Sequence, residues 1–248
     1  MNYKNKIIDW LKDYAMKSNV RGFVVGVSGG IDSAVTSTLC ALTGLPVVAV
    51  GLPIPTGFEA KVLQSRSDLQ LDWLKEKYPN VTTEVISLDE VYDVFSEVVG
   101  STDLGYANMK ARIRMTALYA IAARENSLVV GTGNKVEDFG IGFFTKYGDG
   151  GVDISPIADL MKTEVFELAQ ELEIPQEIQD APPTDGLWGD GRTDEDQINA
   201  TYAELEWAMT YNKEERLLPR QEEVIKIYEK LHAANKHKMI PIPVCKLK

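Results

Sequence analysis

The feature that most constrains this chain is a strand-to-helix turn near its N-terminus. Residues 23–27 (FVVGV) form an apolar run typical of a strand buried on both faces, and residues 32–42 carry apolar side chains at helical spacing. Ser28, Gly29 and Gly30 begin the turn between them. The glycines let the backbone approach a ligand closely, and the helix directs unpaired N–H groups and the positive end of its dipole at the turn. The pattern predicts an anion site, most simply for a phosphate.

The turn differs from the common lysine-containing phosphate loop, GxxxxGK[ST], because Ile31, Asp32 and Ser33 follow its last glycine. A bare carboxylate about 4 Å from a phosphate oxygen is repelled by about 4 kcal/mol at an effective dielectric of about 20. Asp32 therefore indicates a divalent cation between the two groups, and we infer Mg²⁺, which prefers oxygen ligands. The alternative is an ordinary turn in which Asp32 and Ser33 serve only as helix caps.

Apolar runs alternate with helical patterns along the first part of the chain. This alternation predicts an α/β fold, a doubly wound and mostly parallel sheet flanked by helices, followed by a helical C-terminal part. Strands are predicted at 23–27, 46–52, 83–88 and 128–132. Helices are predicted at 32–43, 60–77, 89–99, 108–125, 162–173, 194–212 and 220–235. Because ligands of open parallel sheets bind beyond the carboxyl ends of the strands, residues 28–33 and 132–137 are expected to face one crevice.

Bulk properties narrow the possible partners. With 248 residues and 44% hydrophobic composition, the chain can bury one sizeable core, so we predict a single domain over residues 1–248. No apolar run is long enough to span a bilayer, and the N-terminus reads as an amphipathic helix and not as a signal peptide, which predicts a cytoplasmic protein with no membrane partner. The net charge of −11 disfavours nucleic acid, since backbone binding depends on clustered Lys and Arg.

A second informative segment is residues 131–151 (GTGNKVEDFGIGFFTKYGDGG). It holds seven of the nineteen glycines together with several charged residues, and such a segment is expected to form a poor regular element. One interpretation is a mobile surface loop. The aromatic residues Phe143, Phe144 and Tyr147 favour a ligand-binding loop instead, because large rings are costly to leave in water and offer a stacking surface.

The run from Gly26 to Ser33 (GVSGGIDS) resembles the SGGxDS pyrophosphate loop of the N-type ATP pyrophosphatases. Members of that superfamily split ATP between the α- and β-phosphates, adenylylate an acceptor, and let a nucleophile displace AMP. The resemblance implies the adenine nucleotide alpha hydrolase-like fold. This loop alone identifies the superfamily and not the acceptor.

Longer segments narrow the resemblance. GTGNK at 131–135, the run at 143–169, APPTDGLW at 181–188, DEDQI at 194–198 and HKM at 237–239 are similar to successive signatures of the ammonia-dependent NAD synthetases. The likeness covers nearly the whole chain. Several long signatures in the same order are far more specific than one short motif.

The resemblance implies roles for individual residues. ATP and its pyrophosphate would be held by Gly26, Val27, Ser28, Gly29, Gly30, Ile31, Asp32 and Ser33, with further contacts from Thr132, Lys162 and Thr184. Asp32 and Glu137 would hold Mg²⁺ and, with Lys162, form the catalytic group. Deamido-NAD, the dinucleotide that carries a nicotinate carboxylate, would be bound by Arg112, Lys146, Asp153, His237 and Lys238.

Each of these residues also has an ordinary structural interpretation. Arg112 fits a solvated helix position, and Thr184 fits a turn after two prolines. His237 fits a surface position in a basic run, and His232 is also predicted to lie at the surface. Lys162 fits the first turn of a helix, although a cation there opposes the helix dipole and so favours a functional role.

The sequence departs from the family pattern at two places. One extra residue lies between Glu137 and Gly142 relative to many members, and Asn199 stands where glycine is expected. Because asparagine tolerates a left-handed backbone, the turn at Asn199 is expected to survive.

The resemblance implies amidation of deamido-NAD to NAD with ammonia, through an adenylylated nicotinate carboxylate and with release of pyrophosphate and AMP. The family is homodimeric with substrate at the subunit interface, which suits apolar helices such as 108–125. Two alternatives stay open from the residues alone. One is another ATP pyrophosphatase-type amide or thio ligase, and the other is a non-catalytic adenine-nucleotide sensor.

Overall fold

The computed structural model describes residues 3–54, 57–184, 186, 192–212 and 216–247. Its centre is a sheet of four parallel strands: β1 (Gly22–Gly26), β2 (Val47–Gly51), β3 (Val81–Val85) and β4 (Ser127–Val130). All four predicted strands are confirmed, although β3 begins two residues before its predicted start.

The strand order is β3-β2-β1-β4, which makes β1 the point where the chain changes direction across the sheet. The connections that follow β1 and β2 place β2 and then β3 on one side of β1, whereas β4 pairs with the opposite side of β1. A crevice therefore opens beyond the carboxyl ends of β1 and β4. The backbone at Ile154 extends this edge through a parallel bridge to Val130.

Helices cover both faces of the sheet, and the alternation of strand side chains explains how. Phe23 and Val25 of β1 pack with the buried face of one helical layer, whereas Val24, between them, packs on the other face with Ile121. These strand residues are almost fully buried, as expected where a parallel sheet is covered on both sides. The doubly wound α/β prediction is confirmed.

The helices before the second half of the chain are α1 (Tyr3–Lys17), α2 (Ile31–Leu42), α3 (Gly57–Lys77), α4 (Asp89–Val99) and α5 (Asp103–Glu125). The predicted helices at 32–43, 60–77 and 89–99 are confirmed to within a few residues. The one predicted at 108–125 begins earlier, because the side chain of Thr102 caps it by accepting from the backbone N–H of Gly105 at 3.2 Å.

The C-terminal part is helical, as predicted, with α6 (Lys162–Glu171), α7 (Gln176–Gln179), α8 (Asp194–Ile198), α9 (Tyr202–Thr210) and α10 (Pro219–Met239). The prediction of one helix over 194–212 is wrong. Asn199 adopts a left-handed conformation with φ 61° and ends α8, and Thr201 then caps α9 by accepting from the N–H of Glu204. The left-handed turn expected at Asn199 is confirmed, although apolar spacing alone does not reveal that it separates two helices.

In the described part of the chain, no helix combines the length and the apolar character needed to cross a membrane.

Candidate active site

The turn after β1 has the geometry that the sequence predicts. Gly29 adopts φ +86°, and a Cβ atom there would lie 2.5 Å from the backbone oxygen of Leu63 on α3, so only glycine fits. The N-cap of α2 is Gly30, and no side chain caps the helix. Ser33 instead accepts a hydrogen bond from the backbone N–H of Ser28 at 3.2 Å. Ser33 also donates to the oxygen of Gly30 at 2.9 Å, so its hydroxyl stabilises the turn, and the anion site at the N-terminus of α2 stays a prediction.

Two carboxylates meet at this turn with a buried lysine between them. The Nζ atom of Lys162 lies 2.5 Å from Asp32 Oδ2 and 3.1 Å from Glu137 Oε1. The lysine side chain is 3% exposed, whereas each carboxylate retains 16% exposure. Burial alone would lower the pKa of Lys162, but the two adjacent negative charges outweigh it and raise the pKa above its ordinary value. The structure therefore brings together Asp32, Glu137 and Lys162, the three residues that the resemblance assigns to catalysis, and their roles stay predictions.

Three further polar residues support this group and were not among the predicted site residues. Asn134 donates to Asp32 Oδ1 at 3.0 Å and accepts from the N–H groups of residues 136 and 137. The Tyr202 hydroxyl donates to Glu137 Oε1 at 2.6 Å and also lies 3.2 Å from Asp194 Oδ2. Burial, reinforced by the nearby carboxylates, raises the pKa of Tyr202 far above its ordinary value, so it stays a neutral donor. A usable signal for Asn134 and Asp194 was present in the runs GTGNK and DEDQI, whereas Tyr202 lies outside both runs.

Glu137 lies on a π-helix, Val136–Ile141, where the sequence analysis expected a poor regular element. That expectation is wrong for these six residues. A π-turn holds one residue more than an α-turn, so it can absorb the extra residue noted in this segment. Helix α10 contacts the C-terminal end of this π-helix: His232 Nδ1 lies 2.7 Å from the oxygen of Gly140, and Asn235 donates to the oxygen of Ile141 at 2.8 Å.

The His232 contact also corrects the prediction of a surface position, since this side chain is half-buried against the π-helix. Nothing in the local sequence distinguishes His232 from a solvent-facing residue of an amphipathic helix. The partner carbonyl lies 92 residues away along the chain.

Four residues predicted to bind the dinucleotide meet at the other side of the crevice. Arg112 donates from two nitrogens to the backbone oxygen of Lys146, each at 3.3 Å, and Lys146 Nζ donates to the oxygen of His237 at 2.9 Å. Lys238 donates to the oxygen of Phe144 at 2.7 Å. These cations are held by backbone carbonyls, so their charge remains available to an anionic ligand.

Asp153 is placed differently from the other four. Its carboxylate accepts from the Tyr119 hydroxyl at 3.1 Å and from the backbone N–H of Val129 at 2.8 Å. Both contacts fix the segment that runs beside β4. The hydrogen bonds of Asp153 therefore serve the sheet edge, and its binding role stays a prediction.

A cavity of about 160 Å³ lies beyond the carboxyl end of β4. Gly131 and Gly133 form one wall, and Asp138, Phe144 and Lys238 line the rest together with neighbouring residues. Burial, and secondarily the charges of nearby acids, raises the pKa of Asp138 to about 8. Of the three aromatic residues on which the ligand-binding interpretation rests, Phe144 lines this cavity, and Phe139 of the same segment lines it as well, which supports that interpretation for these two rings.

Two threonines assigned to ATP lie in different settings. Thr132 follows β4 between the two glycines of the cavity wall and is half-buried. The Thr184 hydroxyl donates to the oxygen of Arg192 at 3.3 Å and accepts from the N–H of Gly186 at 3.3 Å, a turn geometry. Asp185 and residues 187–188 of the APPTDGLW segment lie outside the described residues.

Comparison with known proteins identifies the family of this chain. The NAD synthase family model matches residues 3–241. The NH3-dependent NAD(+) synthetase of Methanosarcina mazei is 38% identical over 210 residues, which is 83% of this chain and 79% of that relative. The solved NMN synthetase from Francisella tularensis superposes with a TM-score of 0.87 at 34% identity, covering 99% of this chain and 98% of the other. The NH3-dependent NAD synthetase from Campylobacter jejuni, solved in complex with the nitrate ion, superposes with a TM-score of 0.80 at 27% identity. The superposition covers 99% of this chain and 98% of the other. The chain therefore belongs to the NAD synthase family.

Proposed function

We propose that this chain is a ligase that uses ATP and ammonia to convert deamido-NAD to NAD. The observation that carries the proposal is the meeting of Asp32, Glu137 and Lys162 at the phosphate turn of a chain that belongs to the NAD synthase family. In this reaction the nicotinate carboxylate is adenylylated, pyrophosphate leaves, and ammonia displaces AMP.

Asp32 and Glu137 fit a magnesium ion. Their oxygens converge on one cationic group, both side chains retain some exposure, and carboxylate oxygens are the ligands that Mg²⁺ prefers. Among the described residues no group of three or more His, Cys, Asp or Glu side chains is arranged to hold a metal. A site with two carboxylates suits an ion whose remaining ligands are water and nucleotide phosphates. When bound, the ion would neutralise charge on the phosphates.

The phosphate side of the crevice would bind and orient ATP. Backbone N–H groups at the start of α2 would hold the pyrophosphate, with Thr132 and Thr184 as further contacts. The ammonium group of Lys162 is close enough to the same turn to stabilise charge that grows on the α-phosphate.

The acceptor side would position the dinucleotide for attack. Arg112, Lys146 and Lys238 offer fixed positive charge to its phosphates and carboxylate, and the ring of Phe144 offers a stacking surface. His237 and Asp153 complete the proposed set. No covalent bond to the protein is required, so the residues act mainly by positioning, by electrostatic stabilisation and by excluding water from the acyl-adenylate.

Incubation of the protein with ATP, Mg²⁺, ammonium and deamido-NAD tests the proposal. We expect NAD, AMP and pyrophosphate in equal amounts. Release of AMP and pyrophosphate only with a different acceptor would favour another amide or thio ligase. Binding of ATP with no release of either product, under any of these conditions, would favour a nucleotide sensor.

A second candidate acceptor is nicotinate mononucleotide, the acid that corresponds to NMN. The observation that favours it is the structural agreement with the Francisella tularensis NMN synthetase at a TM-score of 0.87. The reaction and the phosphate half of the site would be the same. Comparison of kcat/KM for the mononucleotide and the dinucleotide, measured under identical conditions, decides between the two acceptors.

A homodimer is supported by an apolar face on α4. Val91, Val94, Phe95 and Val98 lie at helical spacing and are 50–78% exposed, and no residue of α4 is buried. Such a face is costly to leave in water and is typical of a protein contact. A dimer in sedimentation equilibrium, converted to monomer by Val94→Lys, is the expected result. We also propose a cytoplasmic location, which cell fractionation tests.

A further inference from the structure

We propose that Lys162 is the resident cation of the metal site. Its ammonium group holds Asp32 and Glu137 together in the metal-free enzyme and leaves them when Mg²⁺ binds, while Tyr202 keeps Glu137 in position. The inference rests on the proposed function in one respect only, the assignment of Asp32 and Glu137 as metal ligands.

The first argument is the cost of bringing the two acids together. Asp32 lies in the first turn of α2 and Glu137 on the π-helix, 105 positions apart in the sequence, and both are mostly buried. Two carboxylates in such a site repel each other unless a cation lies between them. Among the described residues, Lys162 is the cationic side chain paired with both. Its single positive charge balances one of the two acids and leaves the pair attractive to a divalent ion.

The second argument is that the lysine and the metal require the same oxygen of Asp32 and the same space between the two carboxylates. Asp32 Oδ1 is already bound by Asn134 at 3.0 Å, so Oδ2, which faces Lys162 at 2.5 Å, is the oxygen left for a metal. Mg²⁺ binds oxygen at about 2.0–2.1 Å, and an ion between the two carboxylates would occupy the volume that the ammonium group fills. The two cations therefore exclude each other, and binding of Mg²⁺ displaces the lysine.

The third argument concerns Tyr202, which contacts both partners of the exchange. Its hydroxyl donates to Glu137 Oε1 at 2.6 Å and its ring lies 4.7 Å from Lys162 Nζ. The hydroxyl contact does not depend on the lysine, so Glu137 keeps its orientation after the lysine leaves. The face of the ring gives the ammonium group a favourable neighbour during the exchange. Tyr202 is therefore a positioning residue for both.

The test is calorimetric titration of Mg²⁺ into the full chain without ATP or acceptor, together with melting temperatures in EDTA. In Lys162→Met we expect Mg²⁺ to bind about tenfold more tightly than in the wild type, because no resident cation has to be displaced. We also expect a lower melting temperature in EDTA, restored by Mg²⁺. Unchanged, weaker or absent Mg²⁺ binding in this variant would overturn the proposal.

Lys135→Met is the matched control, because it removes a lysine from an exposed ion pair with Asp159 at 2.9 Å. Its Mg²⁺ affinity should equal that of the wild type. If the Lys162→Met protein does not fold even with Mg²⁺, the same titration is carried out on Lys162→Gln, which keeps a polar donor without the charge. The same outcomes then support or overturn the proposal.

Tyr202→Phe tests the positioning role, because it keeps the ring and removes only the hydroxyl. Weaker Mg²⁺ binding by several-fold, with an unchanged melting temperature in saturating Mg²⁺, is expected, and an unchanged affinity would remove Tyr202 from the proposal. These readouts do not use enzyme activity. Tighter Mg²⁺ binding in Lys162→Met together with no NAD formation by the wild type would support the exchange and overturn the proposed reaction.

Discussion

The two halves of the crevice use charge in opposite ways. In the phosphate half, which comprises the turn 27–33 with Glu137 and Lys162, acidic and basic side chains pair directly. In the acceptor half, which comprises Arg112, residues 144–150 and the last turn of α10, cations bind backbone carbonyls. Within the described residues, none of those cations forms an ion pair with a carboxylate. The first half is therefore assembled before any ligand arrives, whereas the second keeps its positive charge for an anionic ligand.

The largest effect is expected from breaking the phosphate half. Asp32→Asn removes a proposed metal ligand and leaves Lys162 paired with Glu137 alone, so kcat/KM should fall by about 10²–10³-fold, the range typical of losing one preorganised electrostatic contact. Steady-state kinetics with varied Mg·ATP measures it. Asp159→Asn, at an exposed acid, is the control and should retain wild-type kinetics. Wild-type activity in Asp32→Asn would contradict the proposed metal role.

In the acceptor half, loss of a positive charge should weaken binding of the acceptor alone. Arg112→Met removes a cation that is held only by a backbone carbonyl, so the KM for deamido-NAD should rise by about tenfold while the KM for ATP stays constant. Arg124→Met is the matched control on the same helix, because Arg124 pairs with Glu84 and Glu125 away from the crevice. An equal rise in both KM values would show that the two halves are not separate.

The same contrast explains what could be predicted from the sequence. The phosphate turn depends on neighbours in the chain, and the strand, the two glycines and the helix start at 23–33 were all found where the sequence placed them. The four strands were also predictable, since alternation of apolar runs and helical patterns is a local signal. The turn at Asn199 was predictable from the family resemblance but not from apolar spacing, and the π-helix was not predictable, because both depend on backbone dihedrals that apolar spacing does not report.

The partners of the catalytic group were beyond the reach of local patterns. Lys162 and Asp32 are 130 residues apart in the chain, and Tyr202 and Glu137 are 65 apart. The residue types at these positions were predictable from the family resemblance, but Tyr202 carried no signal that distinguished it from a core aromatic residue. Only the packing of α9 against the π-helix brings its hydroxyl to Glu137.

Asp138 is a buried acid that lines the cavity between the two halves of the crevice. Burial raises its pKa to about 8, so the folded protein holds a proton that the unfolded chain releases near pH 4, and stability falls as pH rises between these values. Asp138→Asn does not ionise and escapes this loss. We expect its stability advantage to grow by more than about 1 kcal/mol between pH 5 and pH 8, because each pH unit below the raised pKa contributes up to about 1.4 kcal/mol. Urea denaturation at both pH values measures it.

The control for Asp138 is Asp72→Asn, at an exposed position of α3, which should show the same pH trend as the wild type. An advantage for Asp138→Asn that is constant with pH would mean that the charge of Asp138 is balanced in the folded protein. In that case the acceptor half would compensate its charges internally, and the contrast between the halves would weaken.

The smallest effect is expected behind the phosphate half, at Asn199. This residue joins α8, which carries Asp194, to α9, which carries Tyr202, and its φ of 61° is costly for a residue with a Cβ. Asn199→Ala should lower the free energy of unfolding by about 1 kcal/mol, whereas Asn199→Gly should stay within about 0.5 kcal/mol of the wild type. Urea denaturation measures both. If glycine destabilises as much as alanine, the asparagine side chain contributes a contact of its own. If alanine also raises the KM for ATP while the KM for the acceptor is unchanged, the α8–α9 turn sets the position of Tyr202, and the phosphate half extends to this turn.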